Sequence, residues 1–113
     1  MPLFKDRERA EEAHYAKRQE QTFRVKARRN KLLAAWAAEK MGKTGVVARQ
    51  YASGFAIRQI TDGTDDAVIA RISADLSGEG IFVPEAEIRD RLGQFAGSAA
   101  TAYKTVATRA RKR

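Results

Sequence analysis

ARRNKLLAAWAAEKMG, residues Ala27 to Gly42, is rich in alanine and leucine and ends on a glycine. At helical spacing Leu32, Leu33, Trp36 and Ala37 gather on one face, with Arg28, Arg29 and Lys31 crowding the approach to it. Such a segment reads as a helix built to be covered by a neighbour. Gly42 supplies its stop, because a left-handed turn suits a residue without a Cβ.

Towards the N-terminus the pattern continues without internal Gly or Pro, so Asp6 to Met41 reads as one long helix, straight or bent. Its apolar content is uneven. Phe23, Ala27, Leu33, Trp36 and Ala37 form a stripe expected to be buried, whereas Phe4 to Gln21 offers little beyond Phe4, Ala10, Ala13, Tyr15 and Ala16. Glu8, Glu11, Glu12 and Glu20 lie among Lys5, Arg7, Arg9, Lys17 and Arg18 at spacings that permit ion pairs worth roughly a few tenths of a kcal/mol each. The expectation is a mobile N-terminal arm over residues 1–22, locally helical, poorly docked, and able to complete its folding on a partner.

Beyond Gly42, Thr44 is placed to cap a second helix carrying Val46, Val47, Tyr51, Phe55 and Ile57. TDGT at Thr61 to Thr64 is a turn signal. Thr64 then caps a third helix in which Asp65 and Asp66 suit the positive helix end and Val68, Ile69, Ile72 and Leu76 recur at near-helical spacing. Gly78 and Gly80 end it. Pro84, at an expected first helical position, opens the last helix, where Ile88, Leu92, Phe95, Ala99, Ala102 or Tyr103, and Val106 follow at steps of three and four. No alternating β-branched run argues for a sheet. Four helical patterns with short connections predict an all-α, antiparallel four-helix bundle over residues 23–108, followed by a basic tail at 109–113 expected to fray.

A chain of 113 residues suits one small domain. It has no cysteine, which removes disulfides and thiol catalysis together and fits a reducing, cytoplasmic setting. No segment approaches the roughly 18 to 20 apolar residues that a membrane span needs, and MPLFKDRERA lacks an apolar signal core, so no membrane insertion and no processing are expected. Charge is unevenly spread. From Asp62 to Asp90 eight acids stand against two bases, a local balance of −6, so the remainder carries +14 towards the net +8. An acidic partner, or neutralisation of the basic arm by the acidic middle, would each answer that asymmetry.

Motifs for chemistry are sparse. GKTG at Gly42 to Gly45 imitates the end of a phosphate-binding loop, yet the motif's first glycine falls at Ala37, inside a helix, which leaves helix stop plus N-cap as the competing reading. His14, the only histidine, cannot build a conventional zinc site; it reads as a pH-sensitive interface group or as a solvated helix residue. Adjacent carboxylates such as Glu11 and Glu12 point about 100° apart on a helix, and no nucleophile and base pair is visible, so neither enzymatic activity, catalytic residues, a metal nor a cofactor is expected. Arg24, Lys26, Arg28, Arg29 and Lys31 form a basic run able to meet phosphates, but exposed aromatics for base stacking are missing, and a solvated or internally docked face is the alternative.

DRERAEEAHYAKRQE at Asp6–Glu20, RRNKLLAAWAAEKMG at Arg28–Gly42, ISADL at Ile72–Leu76 and EIRDRL at Glu87–Leu92 together resemble the zeta subunit of the F-type ATP synthase of alphaproteobacteria. The resemblance implies a four-helix bundle whose N-terminal arm, residues 1–22, inserts at a catalytic interface between the alpha and beta subunits, beside the gamma rotor, and blocks ATP hydrolysis. Carried over residue by residue, it implies partner contacts by Phe4, Asp6, Arg7, Glu8, Glu12, His14 and Tyr15, with Phe23 and Arg28 at the junction. It also implies a cytoplasmic position peripheral to the inner membrane through the ATP synthase head. The alternatives are a basic helical nucleic-acid-binding or adaptor protein without ATPase inhibition and, third, a bundle with weak nucleotide binding.

Overall fold

Helix α1 (Pro2–Lys40) runs unbroken for 39 residues, because no glycine or proline interrupts a segment rich in Ala, Glu, Arg and Lys. The computed structural model describes the backbone of residues 2–62 and 64–111, and side chains within that span except at 2–4, 60–62, 110 and 111. Three further helices follow: α2 (Gly45–Asp62), α3 (Asp65–Gly78) and α4 (Glu85–Arg111). Among the described residues there is no strand, and the architecture is an all-α four-helix bundle.

The connections obey local chemistry. Gly42 (φ 76°) closes α1 with hydrogen bonds from the Lys43 amide to the Ala38 carbonyl and from its own amide to that of Glu39. Gly80 (φ 75°) repeats the device after α3, with Ile81 N–H donating to Leu76 O and Gly80 N–H to Ser77 O. Both are six-to-one and five-to-two closures that satisfy orphan carbonyls, and both need a residue tolerant of positive φ. The Thr64 hydroxyl accepts from the Ala67 amide at 3.1 Å, capping α3 as expected. Pro84 sits one place earlier than expected: its carbonyl accepts from Glu87 and Ile88 while α4 itself begins at Glu85. Helix α2 absorbs Thr61 and Asp62 from the TDGT turn, and α4 stays helical through Arg111 where fraying was expected from 109; Lys112 and Arg113 lie outside the described residues.

Leu33, Ala34, Ala37 and Ala38 of α1 meet Ala52 and Phe55 of α2, Val68, Ile69, Ile72 and Leu76 of α3, and Ile88 and Leu92 of α4 in the core. The buried rows of α1 are 29–33–37 and 30–34–38, so its inner face is rotated from the one read in the sequence. Leu32 and Trp36 therefore sit at the flank, partly exposed. The Trp36 ring lies between the Lys40 ammonium, 5.2 Å from its centroid, and the Arg91 guanidinium of α4, at 5.8 Å, which places a cation–π tie along the α1–α4 seam. Phe23 and Val106, expected on apolar stripes, are exposed, as are Val46, Val47 and Ile57 of α2.

Helix α1 packs mainly on α2 and α4 and less on α3, while α2 and α4 make no close approach to each other. Everything described from Lys5 to Arg24 is exposed, so the first half of α1 stands clear of the bundle and gives the molecule a 65 Å long dimension. Its radius of gyration, 17.7 Å, exceeds the roughly 13 Å of a compact 100-residue domain for the same reason.

At the other end of the bundle Tyr51 donates its hydroxyl to Asp75 at 2.7 Å, tying α2 to α3, and Asp75 also pairs with Arg71. Burial first, then the bond to Asp75, raises the Tyr51 pKa above its ordinary value against the opposing fields of Arg71 and Arg58. Because the raised group holds its proton more tightly when folded, its contribution is whole below about pH 10 and is lost as pH rises further. Chemical denaturation above pH 10 is expected to find stability falling, and Tyr51→Phe is expected to remove that part of the slope.

For the core, Leu33→Ala in a fully buried position is expected to cost about 3 kcal/mol in urea unfolding, and the half-buried Trp36→Ala about 1 to 2, below the roughly 3 to 5 of an enclosed indole. A larger loss at Trp36 than at Leu33 would contradict the rotated face.

Candidate functional site

The exposed half of α1 is the principal uncommitted surface of the chain. Asp6, Arg7, Glu8, Glu12, His14 and Tyr15 all project from it into solvent, and Phe23 and Arg28 are exposed where it joins the bundle. The side chain of Phe4 lies outside the described residues. At 100° per residue Arg7, Glu8, Glu11, His14, Tyr15 and Arg18 fall within about 120° of one another, whereas Glu12 lies at the edge of that arc, about 40° beyond it, and Asp6, Phe23 and Arg28 also fall outside it. Glu8, Glu11, Glu12, Tyr15 and Arg18 line one shallow surface. Glu11 and Arg18 thus share a face with the sequence-derived set, and the three-and-four spacing already carried that signal.

Among the described residues, none of the ion pairs expected along the arm with Lys5, Arg7, Arg9, Lys17 or Arg18 is made. Among the described residues only Glu20 and Arg24 pair there, at 2.8 Å, and the Thr22 hydroxyl donates to the Arg18 carbonyl. Solvated carboxylates at Glu8, Glu11 and Glu12 remain available to a partner's cations. The polarity of the segment reflects this, since each charge is better hydrated than bridged on an open helix.

Where α1 enters the bundle, Arg29 departs from the basic run. Its guanidinium donates from Nε and Nη2 to the Asn30 Oδ1 (3.1 and 2.9 Å) and from Nη1 to the Asp65 Oδ1 of α3 (2.9 Å). Its side chain is only 10 % exposed, against 55 % for Asp65. Asp66, the next residue, accepts from Arg89 of α4 at 2.8 Å, a bond that raises the Arg89 pKa, so the first turn of α3 is fastened to both α1 and α4. Those two carboxylates diverge to separate arginines and converge on no common point. Of the basic run, Arg24 is paired and Arg29 is inward, leaving Lys26, Arg28 and Lys31 to face outward in part or whole.

The GKTG segment adopts the helix-stop geometry: Gly42 closes α1, and Lys43 reaches over the Tyr51 ring at 5.9 Å. It follows a helix, not a strand. Among the described residues no group of three or more His, Cys, Asp or Glu gathers, and no helix is long and apolar enough to cross a membrane.

The four-helix bundle is the fold that the sequence resemblance implied. The family model for ATPase inhibitor subunit zeta matches residues 1–102. The chain belongs to this family. The match takes in α1, α2 and α3 whole and most of α4. No curated protein and no solved structure is found to match the chain.

Arg29→Ala would strip both donors from the buried Asn30 carbonyl and is expected to cost about 2 to 3 kcal/mol. Asp65→Asn, at a half-exposed position, is expected to cost under about 1 kcal/mol. Urea titrations of the two variants check the asymmetry, and equal losses would mean that the pair, not the buried amide, carries the stabilisation.

Proposed function

We propose that this protein is a regulatory subunit of the F-type ATP synthase that inhibits ATP hydrolysis, with the exposed half of α1 as the inhibitory arm. One observation carries the reading: in a chain of the inhibitor family, about five helical turns from Lys5 to Arg24 are covered by nothing of their own. The arm, residues 1–22, inserts at a catalytic interface between alpha and beta subunits beside the gamma rotor, and the bundle from residue 23 presents it. Asp6, Arg7, Glu8, Glu12, His14 and Tyr15 meet the cleft, with Phe4 ahead of them and Phe23 and Arg28 at its mouth.

Inhibition of this kind requires that the arm bind one rotor state better than the others, since a ligand shifts an equilibrium only by its differential affinity. An exposed helix suits a cleft that opens and closes with rotation, in the manner of an amphipathic helix laid into a groove. Because α1 is already helical, docking carries a smaller ordering cost than folding from coil. Rotation in the hydrolytic direction closes the cleft on the arm, and rotation in the synthetic direction opens it and expels the arm. The protein is then held peripheral to the inner membrane through the catalytic head.

Removing Pro2–Tyr15 tests this directly. None of the described residues among them, Lys5–Tyr15, belongs to the core, so the truncated chain is expected to keep its melting temperature within about 2 °C, consistent with surface changes of under about 0.5 kcal/mol. It is expected to lose inhibition of the purified ATPase. Undiminished inhibition by the truncated chain would reject the arm as the effector.

A further inference from the structure

Just below the point where α1 enters the bundle, a groove opens between α1 and α2. Its floor is Leu32 and Ala35 of α1 with Ala48 and Ala52 of α2, and its rim is Arg28, Lys31 and Arg49. The floor is apolar and made largely of alanine, so a side chain can approach the helix backbones closely. Arg28, Lys31 and Arg49 are exposed, and among the described residues none makes an ion pair or a side-chain hydrogen bond, whereas Arg24, Arg29, Arg71 and Arg89 do. No acid lines the groove. In another interhelical cleft, beside Tyr51, Lys43, Arg58 and Arg71 are answered by Asp75 and Glu79 on the same walls.

We infer that the α1–α2 groove is a second docking surface, which takes an acidic segment of the catalytic head in which carboxylates flank an aliphatic side chain. The inference rests on the proposed function for its partner. Three cations around an apolar floor complement that chemistry: the aliphatic group fills the alanine-lined trough while the carboxylates meet the rim. From Arg28 to Ala35 the groove spans about 10 Å of helix, room for one or two anchoring side chains. Its place at the root of the arm gives it a separate task. The arm selects the rotor state, and the groove holds the bundle to the head so that the arm is presented at high local concentration.

The test uses the full-length chain and the purified catalytic head, with affinity followed across a salt series. Lys31→Glu combined with Arg49→Glu is expected to weaken binding about tenfold or more and to flatten the salt dependence, because two attractive rim charges become repulsive. Inhibition at saturating concentration is expected to persist, since the arm is intact. Ala35→Trp, which fills the trough without changing charge, is expected to weaken binding as well, separating shape from electrostatics. Unchanged melting temperatures establish that both variants remain folded. Wild-type affinity and salt slope in both variants would overturn the groove while leaving the arm standing. Binding without inhibition by the wild-type chain, still weakened by both variants, would reject the arm and uphold the groove. No binding of the wild-type chain to the head would overturn both.

Discussion

Helix α1 is longer than the helices available to cover it, and the rest of the architecture follows from that mismatch. Its 39 residues span about 58 Å, against about 27 Å for the 18 residues of α2 and about 21 Å for the 14 of α3. An uninterrupted helix without internal glycine or proline does not fold back to shorten itself. One half is consequently enclosed by the other three helices, and the other half is left in solvent. The transition falls near residue 25, where exposure first drops, and the polar composition of the segment before it makes solvation tolerable.

Arg29 and Asn30 mark that transition from inside. Each stands at the top of one of the two buried rows of α1, ahead of Leu33 and Ala34, so the apolar core ends in a polar lid rather than in open hydrocarbon. The guanidinium satisfies the buried amide oxygen and reaches Asp65, which is also placed favourably in the first turn of α3. This is the one ion pair, among the described residues, that joins the basic N-terminal part to the acidic middle. Arg71 and Arg89 neutralise acids within the acidic segment itself. Internal complementarity therefore accounts for little of the charge asymmetry, and most of the positive charge stays on the surface.

That distribution connects the fold to regulation. A bundle with an open basic flank and a projecting helix that carries unbridged acids at Glu8, Glu11 and Glu12 offers two distinct surfaces. On the proposed reading, discrimination between rotor states lies in the shape of the cleft that receives the arm, while the bundle contributes residence and orientation.

The number of helices, their stops at Gly42 and Gly80 and the cap at Thr64 were legible in the sequence, because each depends on backbone conformation and bonds within a few residues. The exposure of Lys5 to Arg24 was legible as well, through the poverty of apolar residues before Phe23. Periodicity could not say which apolar face would find a neighbour: Phe23 and Val106 lie on helix lengths that outrun the core, and Val46, Val47 and Ile57 face away from it. Nor could it show that Arg29 turns inward, since an arginine in a basic run reads as solvated until Asp65, 36 residues away, is brought beside it. The α1–α2 groove likewise joins residues that no local pattern connects. Local chemistry in the chain set the helices and their ends, and tertiary packing alone decided which of their faces were buried, because burial depends on the length and position of elements distant in sequence.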